Sequence, residues 1–188
     1  MPPALHSLHA TREARRSRTT ILRDGSAVRV RPLEAGEEPA LLRLVENLSA
    51  ESLYSRFFGT PTPERAVGSL ADCLRPGDAA IVAQGGAQRS IVAHAGAFRI
   101  GEDRAEAAFL VADEWQGRGL GSILLSRLAA TARERGIATL VAEVLPGNDP
   151  MLAVFQRSGH PVRVQPGDYG IRVLIGTSPL AVTDPLAA

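Results

Sequence analysis

The stretch "FLVADEWQGRGLGSILLSRLAATARERG", Phe109–Gly136, places glycine at every second position, 117, 119 and 121, between an apolar run and an amphipathic helix. Leu120, Leu124, Leu128 and Ala132 share one helical face, and Arg135 with Gly136 forms a C-terminal signal. Where a strand hands over to a helix, the first-turn N–H groups lack intrahelical acceptors and point at whatever occupies the strand's C-terminal end. Glycine lets an extended phosphate approach that backbone and permits the φ values that converge successive N–H groups. Gln116, Gly117, Arg118, Gly119, Leu120, Gly121 and Ser122 therefore read as an anion cradle, with Arg118 adding positive charge at its rim. A tight turn without a ligand would need one glycine, not three.

Upstream of this stretch, "AVRVRPL", Ala27–Leu33, alternates like a strand ended by Pro32, and "EAGEEPALLRLVENLS" spaces Leu41, Leu44, Val45 and Leu48 as a helix. "TPERAVGSLADCLRP" gives a second helix with Thr62 as cap and Pro63 at its first position. It carries Cys73, read as a small apolar filler because no basic neighbour favours a thiolate. "DAAIVAQ", "RSIVAHAGAFRI" and "AEAAFLVA", separated by turn residues, predict an antiparallel meander. Downstream lie the apolar strand "IATLVAEVL", a short helix "DPMLAVFQRSG" with Asp149 as cap, and closing strands "PVRVQ" and "YGIRVLIG". The arginine-rich first twenty residues and the last dozen lack apolar periodicity and read as tails.

Composition sets the outer bounds. The 188 residues, 45 % hydrophobic and 22 % charged, suit one domain with a sizeable core. A balance of 21 basic and 20 acidic residues, net charge +1, argues against a nucleic-acid or anionic-membrane binder, so any anion site is local. One cysteine excludes an internal disulfide, and no Cys/His cluster has metal-ligand spacing. No apolar run approaches the roughly 18 residues of a membrane helix, and no signal-peptide segment is visible, so a cytoplasmic protein is expected.

The identity of the anion narrows by exclusion. A P-loop needs a Gly-Lys-Ser/Thr ending, which is absent. "GRGLGS" with Glu143 about twenty residues on approaches a dinucleotide fingerprint, but its third-glycine spacing fails, and such domains usually open with this unit. "V-A-D-E-W-Q-G-R-G-L-G", Val111–Gly121, resembles the Gln/Arg-x-x-Gly-x-Gly/Ala acyl-CoA motif of the GNAT N-acetyltransferase superfamily. The element order β-α-α-β-β-β-α-β-α-β-β over residues 21–176 is similar too.

That resemblance implies an α/β (α+β) GNAT fold with a mixed, mostly antiparallel central sheet flanked by helices, between tails 1–20 and 177–188. It implies acetyl-CoA as cofactor. Leu110 and Val111 would offer backbone groups to its pantetheine arm between splayed parallel strands, freed by a bulge. Gln116 to Ser122 would cradle the pyrophosphate, and Asn148 would reach the cofactor from the next helix. Phe155 stands where many members carry a tyrosine acid for the leaving thiolate, and His160, where an aromatic is usual, reads as a surface substitution.

The chemistry needs a base to deprotonate the acceptor ammonium. By resemblance to histone-type members this is Glu106, which shares a strand face with Ala108 and Leu110; the alternative is a solvent-facing strand-start glutamate. Glu143 is the rival carboxylate, or the partner of an arginine, and His94 reads as a satisfied core residue. "LSAESLYSRFFGTPTPER" and "LRDGSAVRVRPL" together resemble the acetyltransferase domain of bacterial Pat-type protein lysine acetylases. Tyr54, Arg56, Phe57 and Phe58 would then line the acceptor approach, unless the two phenylalanines simply pack between helix and sheet. The expected activity is N-acetyl transfer to a primary amine, foremost a protein lysine. A small-molecule amine acetyltransferase and a non-catalytic acyl-CoA-binding module remain as alternatives.

Overall fold

The computed structural model describes residues 17–180. Eight strands form one sheet: β1 (Arg18–Ile21), β2 (Ala27–Pro32), β3 (Ala79–Gly85), β4 (Ser90–Arg99), β5 (Arg104–Val111), β6 (Thr139–Val144), β7 (Val162–Pro166) and β8 (Ile171–Gly176). Their spatial order is β1-β2-β3-β4-β5-β6-β8-β7. Every neighbouring pair is antiparallel except β5 with β6, the mixed, mostly antiparallel sheet expected. Helices α1 (Glu38–Glu46), α2 (Ala50–Phe57) and α3 (Pro63–Ala71) separate β2 from β3; α4 (Leu120–Glu134) and α5 (Asp149–Gln156) flank β6. Among the described residues no helix is long and apolar enough to cross a membrane.

The alternation of β5 sorts the two layers. Phe109 meets Phe155 of α5 edge to face at 5.7 Å, so the odd-numbered side chains of β5 face α4 and α5. The even-numbered ones stand opposite His94, Gly96 and Phe98 of β4, beneath the 3₁₀ turn Asp72–Leu74, where Cys73 closes on Gly96. The α4 face is buried as read: Leu120, Leu124, Leu128 and Ala132 are at most 1 % exposed, each leucine contributing about 2 kcal/mol by burial.

Several boundaries differ from the sequence reading. The helix read as carrying Cys73 ends at Ala71, and Cys73 lies in the 3₁₀ turn that follows. Arg18–Thr20, placed in the tail, belong to β1, while residues 1–16 lie outside the described set. Helix α2 was not foreseen as a separate element: Ser49 caps it by accepting from Ser52 N–H at 3.2 Å, and none of its side chains is fully buried. The cap of α5 is Asn148, not Asp149. Thr177, placed in the C-terminal tail, is buried, and its hydroxyl donates to the Ile137 carbonyl at 2.8 Å; residues 181–188 lie outside the described set.

One carboxylate ties α2 to the turn that follows β5. Asp113 accepts from the Ser49 N–H at 2.7 Å, the Ser49 hydroxyl at 2.8 Å and the Ser52 hydroxyl at 2.6 Å. Partial burial pushes its pKa up, but the bonds from Ser52 and Ser49 outweigh this and hold the carboxyl below the usual carboxylate range. Because the folded-state pKa is depressed, the stabilisation is present above about pH 4 and is lost as pH falls through the folded value. Asp113→Ala should therefore lower stability by about 1 kcal/mol at neutral pH, solvent screening included. In urea unfolding the gap from the parent protein should shrink on acidification below about pH 4; a gap independent of pH would mean that the carboxylate charge does not hold the junction.

Candidate active site

Parallel pairing between β5 and β6 covers only Arg104↔Thr139, Ala105↔Leu140 and Glu106↔Val141, although β5 continues to Val111 and β6 to Val144. Beyond Glu106 the strands part, which opens a fork in mid-sheet. The expected bulge in β5 is absent, since its pairing with β4 runs unbroken from Ala93↔Val111 to Arg99↔Ala105. The register shift lies elsewhere, between Ala83 and Gln84 on β3. The Ile100 N–H donates to the Arg104 carbonyl, and the Ala112 N–H to the Val92 carbonyl. By alternation Leu110 turns its backbone groups to β4, and Phe109 with Val111 turns theirs to the fork. Of the two residues read as backbone donors, only Val111 is placed for it.

The cradle is built at the mouth of this fork. Gly117 and Gly119 have φ of 71° and 90°, so two of the three glycines hold left-handed backbone that a side chain would strain. Gly121 lies inside α4; a Cβ there would reach Val154 at 3.5 Å, an ordinary contact. Gly119 caps α4, so the N–H groups of Leu120, Gly121 and Ser122 open the helix without intrahelical acceptors. The Gln116 side chain serves as a brace: its Nε2 donates to the Val111 carbonyl at 3.1 Å and the Ser52 hydroxyl at 3.0 Å. Arg118 is not a free rim charge, because it pairs with Asp24 at 2.7 Å and lies over the Trp115 ring. The cation above the glycines is Arg23, from the β1–β2 turn, whose N–H donates to the Arg118 carbonyl at 3.2 Å. Its side chain comes within 3.4 Å of the position a Gly119 Cβ would take.

On the α5 side, the Asn148 side-chain oxygen accepts from the Met151 N–H at 3.3 Å. Phe155 is 1 % exposed and closes the base of the fork against Phe109.

The opposite face of the fork carries the ionisable groups. Glu106 sits at the last paired position, exposed, beside Phe98 and Val141. Arg56 of α2 lies within electrostatic reach of it; its Nε and Nη2 are enclosed without a hydrogen-bond partner, and burial lowers its pKa. His94 is fully buried, as expected of a core residue; neither ring nitrogen makes a well-formed hydrogen bond, and the backbone of Leu70 is the polar group nearest to partnering it. Burial and the Arg56 charge lower its pKa to about 3, so it stays neutral. Burial likewise pushes the Cys73 thiol up to about 12, in keeping with a filler.

Glu143 pairs with Arg172, which also holds Asp168 at 2.6 Å. Its second oxygen is enclosed against Gly167, which fits the structural alternative. His160 is not a surface residue: it is 9 % exposed, and its Nδ1 lies 2.8 Å from the Gly176 carbonyl.

Tyr54 and Tyr169 are exposed, and Tyr169 stacks on Phe58 at 4.8 Å. Tyr169 was missed in the sequence; its signal is an aromatic inside the polar turn "PGDYG". Arg23 and Asp113 were missed as well, since their partners lie far along the chain.

These residues fit acetyl-CoA. Backbone groups at Val111 face the fork, two left-handed glycines and a helix N-terminus lie at its mouth, and Arg23 stands above them. No group of three metal-ligating side chains occurs among the described residues. The family model for the GNAT acetyltransferases matches residues 43–160. The acetyltransferase Pat of Mycolicibacterium smegmatis is 33 % identical over 141 residues, 73 % of this chain and 42 % of that protein, so the chain spans less than half of that relative's length. The crystal structure of the GNAT domain of S. lividans PAT is 35 % identical with a TM-score of 0.75, covering 87 % of this chain and 98 % of that one. Spermidine N-acetyltransferase from Vibrio cholerae, 18 % identical, shares the fold at a TM-score of 0.62, over 81 % of this chain and 96 % of that one. The chain thus belongs to the GNAT acetyltransferase family.

Proposed function

We propose that this domain acetylates a primary amine, with a protein lysine as acceptor and Glu106 as general base. The observation that carries the reading is the position of the exposed Glu106 at the last residue pair of β5 and β6, where the two strands part. The lysine acceptor is supported by the resemblance to Pat-type protein acetylases, and the exposed Tyr54 and Tyr169 are available to a macromolecular surface.

When bound, acetyl-CoA supplies an activated acyl thioester. The chain's own part is to orient and to move a proton. Val111 and the α4 N-terminus hold the cofactor's polar groups, and Phe109 with Phe155 excludes water from the base of the fork. Glu106 takes the proton from the acceptor ammonium, directly or through one water, so that the nitrogen lone pair becomes available. Phe155 carries no hydroxyl and offers no proton to the leaving group. Glu143, engaged by Arg172, is a structural partner, not the base.

Replacing Glu106 by Gln should preserve acetyl-CoA affinity and lower turnover by about 10² to 10⁴. The deficit should narrow as pH rises towards the amine pKa of about 10, because more acceptor then arrives deprotonated. Full activity in Glu106→Gln across that pH range would remove Glu106 from the mechanism. The cradle has its own test by calorimetry. Gly119→Val should weaken acetyl-CoA binding steeply and cost about 1–2 kcal/mol of stability through left-handed strain, whereas Gly121→Ala should keep both. Unchanged affinity in a folded Gly119→Val protein would place the phosphates elsewhere.

A further inference from the structure

The side of α4 turned away from α5 plays no part in the site described so far. Strand β1 runs beside it, and the two walls enclose a groove of about 720 Å³. Arg18 and Thr20 line it from the strand, and Ser122, Ser126 and Arg127 from the helix. Partial burial and the nearby Arg18 charge both hold the Arg127 guanidinium below the usual arginine range. Neither guanidinium makes an ion pair or hydrogen bond among the described residues, and no carboxylate lines the groove. Two like charges facing one concave, hydroxyl-bearing space without a counter-ion among the described residues are arranged for an anion.

The groove and the cradle share one residue at the start of α4. Ser122 belongs to both, and at 1.5 Å per residue Arg127 lies about 8 Å further along the axis. The strand wall begins at the cradle as well, since Arg23 beyond β1 rests over Gly119 and its N–H donates to the Arg118 carbonyl. A ligand whose pyrophosphate occupies the cradle therefore has a second basic site within reach along one side of α4. Coenzyme A carries the matching group, a phosphate monoester on the ribose 3′-oxygen, separated from the pyrophosphate by that ribose.

We propose that Arg18 and Arg127, with the Ser122 and Ser126 hydroxyls, form the subsite for the 3′-phosphate of coenzyme A. This rests on the assignment of the cradle to the pyrophosphate. It also assigns a task to β1: the strand brings Arg18 to the groove and Arg23 to the cradle in one short segment.

Titration calorimetry with coenzyme A and with 3′-dephospho-coenzyme A separates the two assignments. The parent protein should bind coenzyme A roughly tenfold or more tightly than the dephospho form, as expected for charge-assisted hydrogen bonds. Arg127→Ala and Arg18→Ala should each weaken coenzyme A while leaving dephospho-coenzyme A unchanged, which narrows the gap. Arg127→Lys should retain part of it. Circular dichroism on each variant reports folding, and unchanged dephospho-coenzyme A affinity shows independently that the cradle is intact. Equal binding of the two ligands by the parent protein would overturn the groove assignment and leave the cradle standing. A gap that survives both alanine variants, or an equal loss for both ligands, would overturn it too. Failure of the parent protein to bind either ligand would instead overturn the cradle assignment, and the groove with it.

Discussion

Parallel pairing between β5 and β6 lasts for three residue pairs and stops at Glu106↔Val141. Backbone N–H and C=O groups in mid-sheet carry a free-energy cost when they have no partner, so the parting of these strands creates a demand that something else must meet. The protein meets part of it: the Gln116 amide donates to the Val111 carbonyl. The remaining groups on the fork side of Phe109 and Val111 face the space where an extended amide-bearing arm would lie. Leu110, one residue away, has its groups turned to β4 and takes no part, which shows how strictly the two-residue period of a strand selects the backbone that a ligand can reach.

Two long-range ties keep the mouth of the fork in place. Asp113 joins the start of α2 to the turn after β5 through Ser49 and Ser52, and Gln116 joins the same hydroxyl network to the strand end. From the other side, the β1–β2 turn engages the glycine loop through Asp24 with Arg118 and through the Arg23 N–H. The loop proposed to present N–H groups to phosphate is thus braced from both directions. Preorganisation of this kind lowers the ordering cost of binding. It also accounts for Arg118, whose charge is directed at Asp24, leaving Arg23 as the cation over the glycines.

Much of this was legible in the sequence, for reasons that differ between residues. The glycine loop could be read because left-handed backbone and a helix start leave a local signature, borne out by φ at Gly117 and Gly119. The core face of α4 could be read because its period is local. Helix α2 escaped because it is short, follows closely on α1 and buries no side chain completely, although Ser49 was a usable cap signal. Strand β1 escaped because it is four residues long and follows an arginine-rich run. Asn148 and Asp149 are both good caps, and adjacency alone could not choose between them. The burial of His160 depends on Gly176, and the pairing of Glu143 depends on Arg172, 29 positions away; neither contact has a local trace.

The central claim is that the fork and the α4 N-terminus together receive acetyl-CoA, and amide hydrogen exchange read residue by residue tests it most directly. On addition of acetyl-CoA, exchange should slow at Val111 and at Leu120, Gly121 and Ser122. Leu110, whose amide already faces β4, should show no change of its own. Unaltered exchange at Val111 and Leu120–Ser122 under saturating ligand, with protection appearing on another surface, would contradict the account.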